Sequence, residues 1–305
     1  MKINIERHND QNCIENCFSY ISNYLQVDCK CMFLYSWDMG YDSSKNTFLE
    51  KIHYHYLLNP MAEEMINAIT KYTKIKYALI DKQKFIETIA FHKNDIAENI
   101  YLLSIDSYDC PWNIVYQTDH ISHYFMVVDY SKQSDEFVIA DPFCSNDIIK
   151  CKKDILDYVK NIKIFYKSNI SETITLNDMI NIIETQSENV LASIAKLLND
   201  KMLCNIEDDI KTYNDSAKNR ILRRIERIAN ARKNFRSLFD KCNTENLQYN
   251  TEILDETFNL WIMCRSIVMK AFFRYNNSVQ TKICEILQKI HDLEKAFSIQ
   301  FTNCK

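Results

Sequence analysis

Three residues that could carry covalent chemistry stand at the ends of predicted elements: Cys13, His123 and Asp141. Cys13 follows the polar run HNDQN and opens a segment of helical periodicity, so its thiol is expected at a helix N-terminus. Unpaired N–H groups and the helix dipole stabilise a thiolate there. A histidine can share the thiol proton, and a carboxylate can fix the histidine ring and its tautomer. These residues therefore predict a cysteine nucleophile with a histidine base and an orienting acid.

The elements that would bring His123 and Asp141 together are two strands of a predicted hairpin. The apolar runs YFMVVDY (124–130) and EFVIADP (136–142) are separated by a polar turn at 131–135. His123 begins the first strand and Asp141 closes the second, so antiparallel pairing would place their side chains on neighbouring strands. The alternative interpretation of Asp141 and the proline after it is an ordinary strand-to-turn device.

The other elements of the first half of the chain alternate between strands and helices. Two more apolar runs predict strands at 100–106 and 161–167, and helical spacing predicts helices at 13–25, 61–70 and 82–91. This mixture predicts a domain of helices and strands in which the two hairpin strands are antiparallel.

Beyond Thr173 the periodicity is helical throughout. Thr175 and Asp178 stand three residues apart, which is a loose capping pattern for the first of these helices. Short connections between the helices predict an antiparallel bundle. We therefore expect two domains, an α+β domain at 1–169 and a helical bundle at 170–305.

Three stretches of the first domain, NCIENCFSYISNYL, LLSIDSYDCPWN and HISHYFMVVDYSKQSDEFVIADP, resemble the N-terminal domain of the butirosin-biosynthesis protein H family. That family is a branch of the papain-like, C39-like cysteine peptidase fold, in which cysteine, histidine and aspartate follow in this order. The resemblance covers residues 10–145. It implies a papain-like α+β domain with an antiparallel sheet, in which Cys13 is the nucleophile, His123 the base and Asp141 the orienting acid. Asp106 matches the middle motif and is expected to shape the site.

Members of this family resemble peptidases but act as acyltransferases, which move an acyl group from a carrier-protein thioester onto an amine. The resemblance implies an acyl- or peptidyl-carrier protein and a small amine acceptor as partners, in a setting of antibiotic biosynthesis. It implies no cofactor or metal of the protein's own, because the thioester is borne by the phosphopantetheinyl arm of the carrier. The family has a glycine-rich segment after the first helix, whereas this chain has Gly40 alone, so the identity of the substrate is not carried over.

Other assignments fit the same residues. A cysteine peptidase or thioester hydrolase would use a peptide or water where the acyltransferase uses a thioester and an amine, and a binding protein would keep the fold with an inactive site. Cys17, one helical turn after Cys13, is the rival nucleophile, and His120 is the rival base. Gln11 or Asn12 could join the backbone N–H of Cys13 in stabilising a tetrahedral oxyanion.

Composition restricts the remaining classes of function. A net charge of −4 indicates neither nucleic acid nor an anionic membrane as a partner. No apolar run reaches the roughly 18 residues of a membrane-spanning helix, and the N-terminus lacks a signal-peptide apolar region. Twelve cysteines scattered through a long chain indicate free thiols and a reducing, cytoplasmic compartment. Cys29 and Cys31 form a C-x-C without a second ligand pair nearby, so no metal site is predicted.

A basic cluster lies in the helical half of the chain. Its arginines fall largely opposite a row of isoleucines on the same predicted helix: Arg220, Arg223, Arg224 and Arg227. One interpretation is a solvated helix face. The other is a docking site for an acidic carrier protein, whose approach such a cluster would steer electrostatically.

Overall fold

The computed structural model describes residues 5–53, 61–91, 99–200, 203, 206–242, 249–276 and 278–302. The chain divides into two compact units, one made of Met1–Met32 and Ile66–Thr173, the other of Phe33–Met65 and Ile174–Lys305. The segment Phe33–Met65 thus packs with the helical half, although the sequence places it in the domain at 1–169.

Polar contacts from this segment to residues in the C-terminal half of the chain account for the placement. The hydroxyl of Tyr41 donates to Asp200 at 2.7 Å, and the Lys51 ammonium pairs with the same carboxylate at 2.8 Å. The backbone N–H of Phe48 donates to the Asp209 carboxylate at 2.7 Å. These contacts join residues about 150 to 160 positions apart, so sequence periodicity does not reveal them.

The first unit is built on an antiparallel sheet, which confirms the predicted α+β class. In the described part of the chain this sheet has six strands in the order β3-β8-β4-β5-β6-β7. The strands are β3 (Ile75–Ile80), β4 (Asn99–Asp106), β5 (Ser122–Ser131), β6 (Glu136–Ala140), β7 (Ile149–Lys152) and β8 (Val159–Lys167). Strands β4, β5, β6 and β8 match the predicted runs. The edge strands β3 and β7 are not predicted, because β3 lacks an apolar alternation and β7 is only four residues long.

Helices α1 (Cys13–Leu25) and α4 (Lys82–Phe91) cover opposite faces of this sheet. Phe85 of α4 packs with Tyr101 on β4 in the main apolar cluster. Phe18 of α1 contacts Phe165 of β8 edge to face. Phe165 pairs with the residue that precedes Tyr101, so it points to the other face. The site residues on α1 and β5 are therefore held by a sheet packed on both sides.

The predicted helix at 13–25 has the same bounds as α1, because the signals at its start are local. Asn12 is the N-cap, its side chain accepts from the backbone N–H of Glu15, and the Glu15 carboxylate accepts in turn from the backbone N–H of Asn12. This capping box fixes the first turn of the helix. Gln26, in the left-handed conformation at φ 53°, ends it. Cys13 is thereby the first residue of α1.

Among its described residues, the regular structure of the second unit is helical apart from a short antiparallel strand pair. Its described elements are β1 (Gly40–Tyr41), α2 (Phe48–Lys51), β2 (Ile52–His53), α5 (Leu176–Leu198), α6 (Ile206–Thr212), α7 (Asp215–Cys242), α8 (Glu252–Phe273) and α9 (Ser278–Thr302). Helix α3 (Met61–Tyr72) crosses the boundary between the units. Thr175 and Asp178 form the capping box of α5, as predicted. Helix α7 packs on α8, and α9 packs on both α5 and α8.

None of the described helices has both the length and the apolar character that crossing a bilayer requires.

Candidate active site

The Cys13 thiol stands at the N-terminus of α1 and is partly exposed, with its backbone N–H among the first of the helix. The first N–H groups of an α-helix have no partner within the helix, so they can donate hydrogen bonds to a negatively charged oxygen or sulfur. The thiol lies near enough to His123 to contribute to the raised pKa of its imidazole. The structure thus brings together a helix N-terminus, a thiol and an imidazole, as the sequence predicts.

His123 and Asp141 form a buried pair. The Nε2 atom of His123 lies 2.7 Å from Oδ2 of Asp141, and both side chains are almost completely excluded from solvent. The pairing of β5 with β6 places them side by side: Met126 pairs with Ala140, the last residue of β6, and Asp141 follows directly. Because Asp141 engages Nε2, a proton exchanged between this ring and the Cys13 thiol would have to pass through Nδ1.

The Asp141 carboxylate receives further hydrogen bonds from residues that the sequence did not single out. The indole N–H of Trp112 donates to Oδ2 at 2.8 Å, and the backbone N–H of Cys144 donates to Oδ1 at 3.2 Å. The Cys144 N–H also donates to the backbone oxygen of Asp141 at 3.1 Å. Asp141 therefore acts both as a partner of His123 and as the start of a turn, so the two interpretations of this residue are compatible.

The sequence contains weak local signals that Trp112 and Cys144 could contact polar groups of the site. An indole N–H in a semi-buried loop needs an acceptor, and Trp112 stands in such a loop between β4 and β5. Cys144 is three residues after Asp141, where an aspartate-initiated turn brings the chain back onto the carboxylate. Its thiol sulfur lies 3.8 Å from Nε2 of His123. Which acceptor Trp112 would find could not be deduced, because Trp112 and Asp141 are 29 positions apart.

The electrostatics of the pair favour an imidazolium beside a carboxylate. Burial by itself would lower the pKa of His123, but the hydrogen bond to Asp141 and the negative charge of Asp141 raise that pKa well above its ordinary value. Burial by itself would raise the pKa of Asp141, but the hydrogen bond and charge of His123, with the bond from Trp112, hold that pKa below its ordinary value. An imidazolium in this position can stabilise a neighbouring thiolate.

Neither rival residue has the surroundings that its proposed role needs. Cys17 is fully buried, its thiol donates to the backbone oxygen of Tyr124 at 3.6 Å, and burial raises its pKa well above the ordinary value, which disfavours a thiolate. His120 is exposed, stacks on Tyr108 and pairs with Asp106 at 3.2 Å. The geometry therefore favours Cys13 over Cys17 and His123 over His120.

The residues predicted to shape the site have different positions. Asn12 caps α1, and Oε1 of Gln11 accepts from the Ser19 hydroxyl at 2.7 Å, which fixes the Gln11 amide. Asp106 ends β4, where its side chain accepts from the backbone N–H of Tyr108. Burial would raise the pKa of Asp106, but this bond, the bond from His120 and the charge of Lys160 together lower it. Asp106 thus holds the base of the loop that carries Trp112, and contributes to the site through that loop.

The four arginines of the predicted docking cluster lie on α7 with unequal exposure. Arg223 is exposed, whereas Arg220, Arg224 and Arg227 are partly buried. Arg224 donates to the backbone oxygen of Glu50 at 3.2 Å, and burial lowers the pKa of its guanidinium. Arg224 therefore uses part of its hydrogen-bonding capacity for a contact within its own unit.

The arrangement of Cys13, His123 and Asp141 can carry out nucleophilic attack by a thiolate with proton transfer through an imidazole. No protein-family model matches this chain, and no curated protein matches its sequence. The family assignment made from the three quoted stretches therefore stays a prediction.

Proposed function

We propose that this protein is a cysteine-dependent acyltransferase that works through an acyl-enzyme on Cys13. The observation that carries the proposal is one group of neighbouring side chains: the partly exposed Cys13 thiol, near enough to His123 to raise the pKa of the imidazole, and His123 Nε2 at 2.7 Å from the buried Asp141. A nucleophile, a proton carrier and an orienting acid in this order support covalent acyl transfer.

In the first half-reaction the Cys13 thiolate attacks the carbonyl carbon of an acyl thioester. The tetrahedral oxyanion is stabilised by the backbone N–H of Cys13 at the start of α1. Collapse of this intermediate breaks the bond to the departing thiol, which takes its proton from His123, and leaves the acyl group on the Cys13 sulfur. Asp141 holds the ring throughout.

In the second half-reaction an amine attacks the Cys13 thioester. His123, now neutral, accepts the proton that the amine loses, and the Cys13 thiolate is released as the amide forms. The Cys13 sulfur is thereby freed and His123 is protonated for the next cycle, and the overall reaction exchanges a thioester for an amide without ATP.

The choice of a carrier-protein thioester as donor and a small amine as acceptor rests on the sequence resemblance. In this proposal the first unit is a papain-like domain and the C-terminal helices form a bundle. Arg223, exposed on α7, is the member of the basic cluster best placed to meet an acidic carrier. Water in place of the amine would make the same site a thioester hydrolase.

The covalent intermediate is tested by intact-protein mass spectrometry after incubation with an acylated carrier protein or an acyl-pantetheine thioester. We expect the mass of one acyl group on the wild-type protein, mapped to Cys13 by peptide analysis. Cys151→Ala is the matched control, because Cys151 is a partly buried thiol on the edge strand β7. The adduct should persist in Cys151→Ala and be absent in Cys13→Ala; an undiminished adduct in Cys13→Ala refutes the proposal.

Transfer is distinguished from hydrolysis by adding amines to the acylated protein. An acyltransferase should convert the acyl-enzyme to amide faster than to free acid, with a rate that rises with amine concentration. Release of free acid alone, at one rate for every amine tried, would assign the site to a hydrolase.

A further inference from the structure

The residues around His123 also form a set of metal ligands. The His123 ring nitrogen, an Asp141 carboxylate oxygen and the Cys144 sulfur all lie within 4.8 Å of one another. Imidazole, carboxylate and thiolate are the three ligand types that Zn²⁺ prefers in proteins. The sequence does not reveal the set, because His123 is 18 positions before Asp141 and the C-x-x-C spacing of familiar zinc sites is missing.

The ligand atoms lie within 4.8 Å of one another, so side-chain movements would have to bring them to the separations of a tetrahedral zinc site. Zn–N and Zn–O bonds of about 2.0 to 2.1 Å and a Zn–S bond of about 2.3 Å place neighbouring ligand atoms roughly 3.3 to 3.6 Å apart. The observed separation between Nε2 and the Cys144 sulfur is 3.8 Å. Nε2 and Oδ2 are 2.7 Å apart because they share a proton. Replacing that proton by a metal requires them to separate by about 0.6 Å, a movement within reach of a side chain.

The carboxylate is already oriented as a metal ligand would be. The indole N–H of Trp112 donates to Oδ2, and the backbone N–H of Cys144 donates to Oδ1. Outer hydrogen bonds of this kind fix the direction of a ligating carboxylate and strengthen metal binding. The same Cys144 N–H stabilises the turn that carries the Cys144 sulfur, which is the third ligand. The positions of the Asp141 and Cys144 ligand atoms are therefore coupled.

We propose that His123, Asp141 and Cys144 form a binding site for Zn²⁺, and that the bound metal inhibits chemistry at Cys13. The fourth position is taken by water. Coordination replaces the thiol proton of Cys144 and the proton that Nε2 shares with Asp141. A neutral imidazole bound to metal through Nε2 keeps its remaining proton on Nδ1, so it has no lone pair with which to accept a proton from a thiol or an amine. Metal binding and proton transfer therefore compete for one ring.

Titration of the metal-free full-length protein with Co²⁺, and then with Zn²⁺ in competition, tests the site without any substrate. We expect one tight equivalent of Co²⁺, the visible absorption of tetrahedral coordination and a near-ultraviolet thiolate-to-metal band, all displaced by Zn²⁺. Cys144→Ser should lose the thiolate band, whereas the control Cys151→Ser should keep it. Trp112→Phe should retain the spectrum but bind about tenfold to a hundredfold more weakly, as for other outer-shell partners.

The result that overturns the proposal is a titration without the tetrahedral spectrum, or a spectrum that Cys144→Ser leaves unchanged. Cys13→Ser separates this site from a metal bound at the nucleophile: the proposal requires that the thiolate band survive in Cys13→Ser. A band lost in Cys13→Ser and kept in Cys144→Ser contradicts it. Because these measurements use no acyl donor, their outcome does not depend on whether the protein transfers acyl groups.

Discussion

Each unit of the molecule contains a buried pair of ionisable side chains, and the two pairs are built differently. In the first unit His123 pairs with Asp141. In the second, Arg232 on α7 pairs with Glu294 on α9 at 2.7 Å, with both side chains fully buried. Each carboxylate also accepts from a tryptophan indole, Trp112 for Asp141 at 2.8 Å and Trp37 for Glu294 at 2.5 Å.

The difference lies in what surrounds the pairs. The Cys13 and Cys144 thiols lie near His123 and are partly exposed, so reagents can approach these thiols although the ring itself is buried. Arg232 lies among packed aromatic and aliphatic side chains, and its Nη1 and Nη2 atoms have no hydrogen-bond partner among the described residues. Removing one member of a buried ion pair costs stability, since the other charge is left unpaired. The first pair therefore lies beside partly exposed thiols that can react, whereas the second pair links helices α7 and α9 inside its own unit.

The largest expected effect is on activity, from Asp141→Asn. An amide cannot stabilise the His123 imidazolium and can select the wrong ring tautomer, so the rate of acyl-adduct formation should fall about tenfold to ten-thousandfold. Asparagine also offers a single acceptor oxygen where Asp141 receives bonds from His123, Trp112 and Cys144, so stability should fall by about 1 to 3 kcal/mol. Adduct rates are measured by mass spectrometry well below the melting temperature.

Asp129→Asn, on the exposed side of β5, is the control for that substitution and should leave both quantities unchanged. An Asp141→Asn protein with the wild-type adduct rate would show that Asp141 closes a turn and does not orient His123.

The next effect is on stability, from Glu294→Gln. It leaves Arg232 buried without a counter-charge, which should cost about 3 to 5 kcal/mol in the free energy of unfolding. Urea unfolding followed by circular dichroism measures this cost. Glu285→Gln, exposed on the same helix, is the control and should cost little.

The triple variant Trp37→Phe, Arg232→Met and Glu294→Leu should be close to the wild type in stability, because it removes both charges and the indole donor to Glu294 together. A Glu294→Gln protein as stable as the Glu285→Gln control would mean that this pair does not hold the helices.

The two tryptophans give a smaller and more direct comparison. Trp112→Phe and Trp37→Phe each remove an indole donor to a carboxylate, at a cost of about 1.5 to 3 kcal/mol in stability. We expect Trp112→Phe also to slow adduct formation, though less than Asp141→Asn, because the bond between Asp141 and His123 remains. Trp37→Phe should leave the adduct rate unchanged at temperatures where the protein is folded. Equal adduct rates in the two variants would argue against a positioning role for Trp112.

The smallest effect is expected at Cys17. Its thiol is fully buried and its pKa is raised by burial, so iodoacetamide should label Cys13 in the folded protein and spare Cys17. Cys17→Ser can keep the hydrogen bond to the Tyr124 backbone oxygen, and its adduct rate should equal that of the wild type. Labelling of Cys17 before Cys13, or loss of the adduct in Cys17→Ser, would transfer the role of nucleophile to Cys17.

The sequence determined those parts of the site that depend on neighbouring residues. The capping box of Asn12 and Glu15 sets the first residue of α1, and thereby places Cys13 at a helix N-terminus. Apolar runs with a polar turn between them set strands β5 and β6, and thereby place His123 and Asp141 on adjacent strands. These signals act within a few positions, so a single sequence contains them.

Only the tertiary structure decided which distant residues join those elements. Trp112 reaches Asp141 across 29 positions, Arg232 reaches Glu294 across 62, and Tyr41 reaches Asp200 across 159. A buried donor must find an acceptor, but many acceptors satisfy that need equally well in the sequence. The choice among them is made when the sheet and the helices pack, because packing fixes which side chains come within hydrogen-bonding distance.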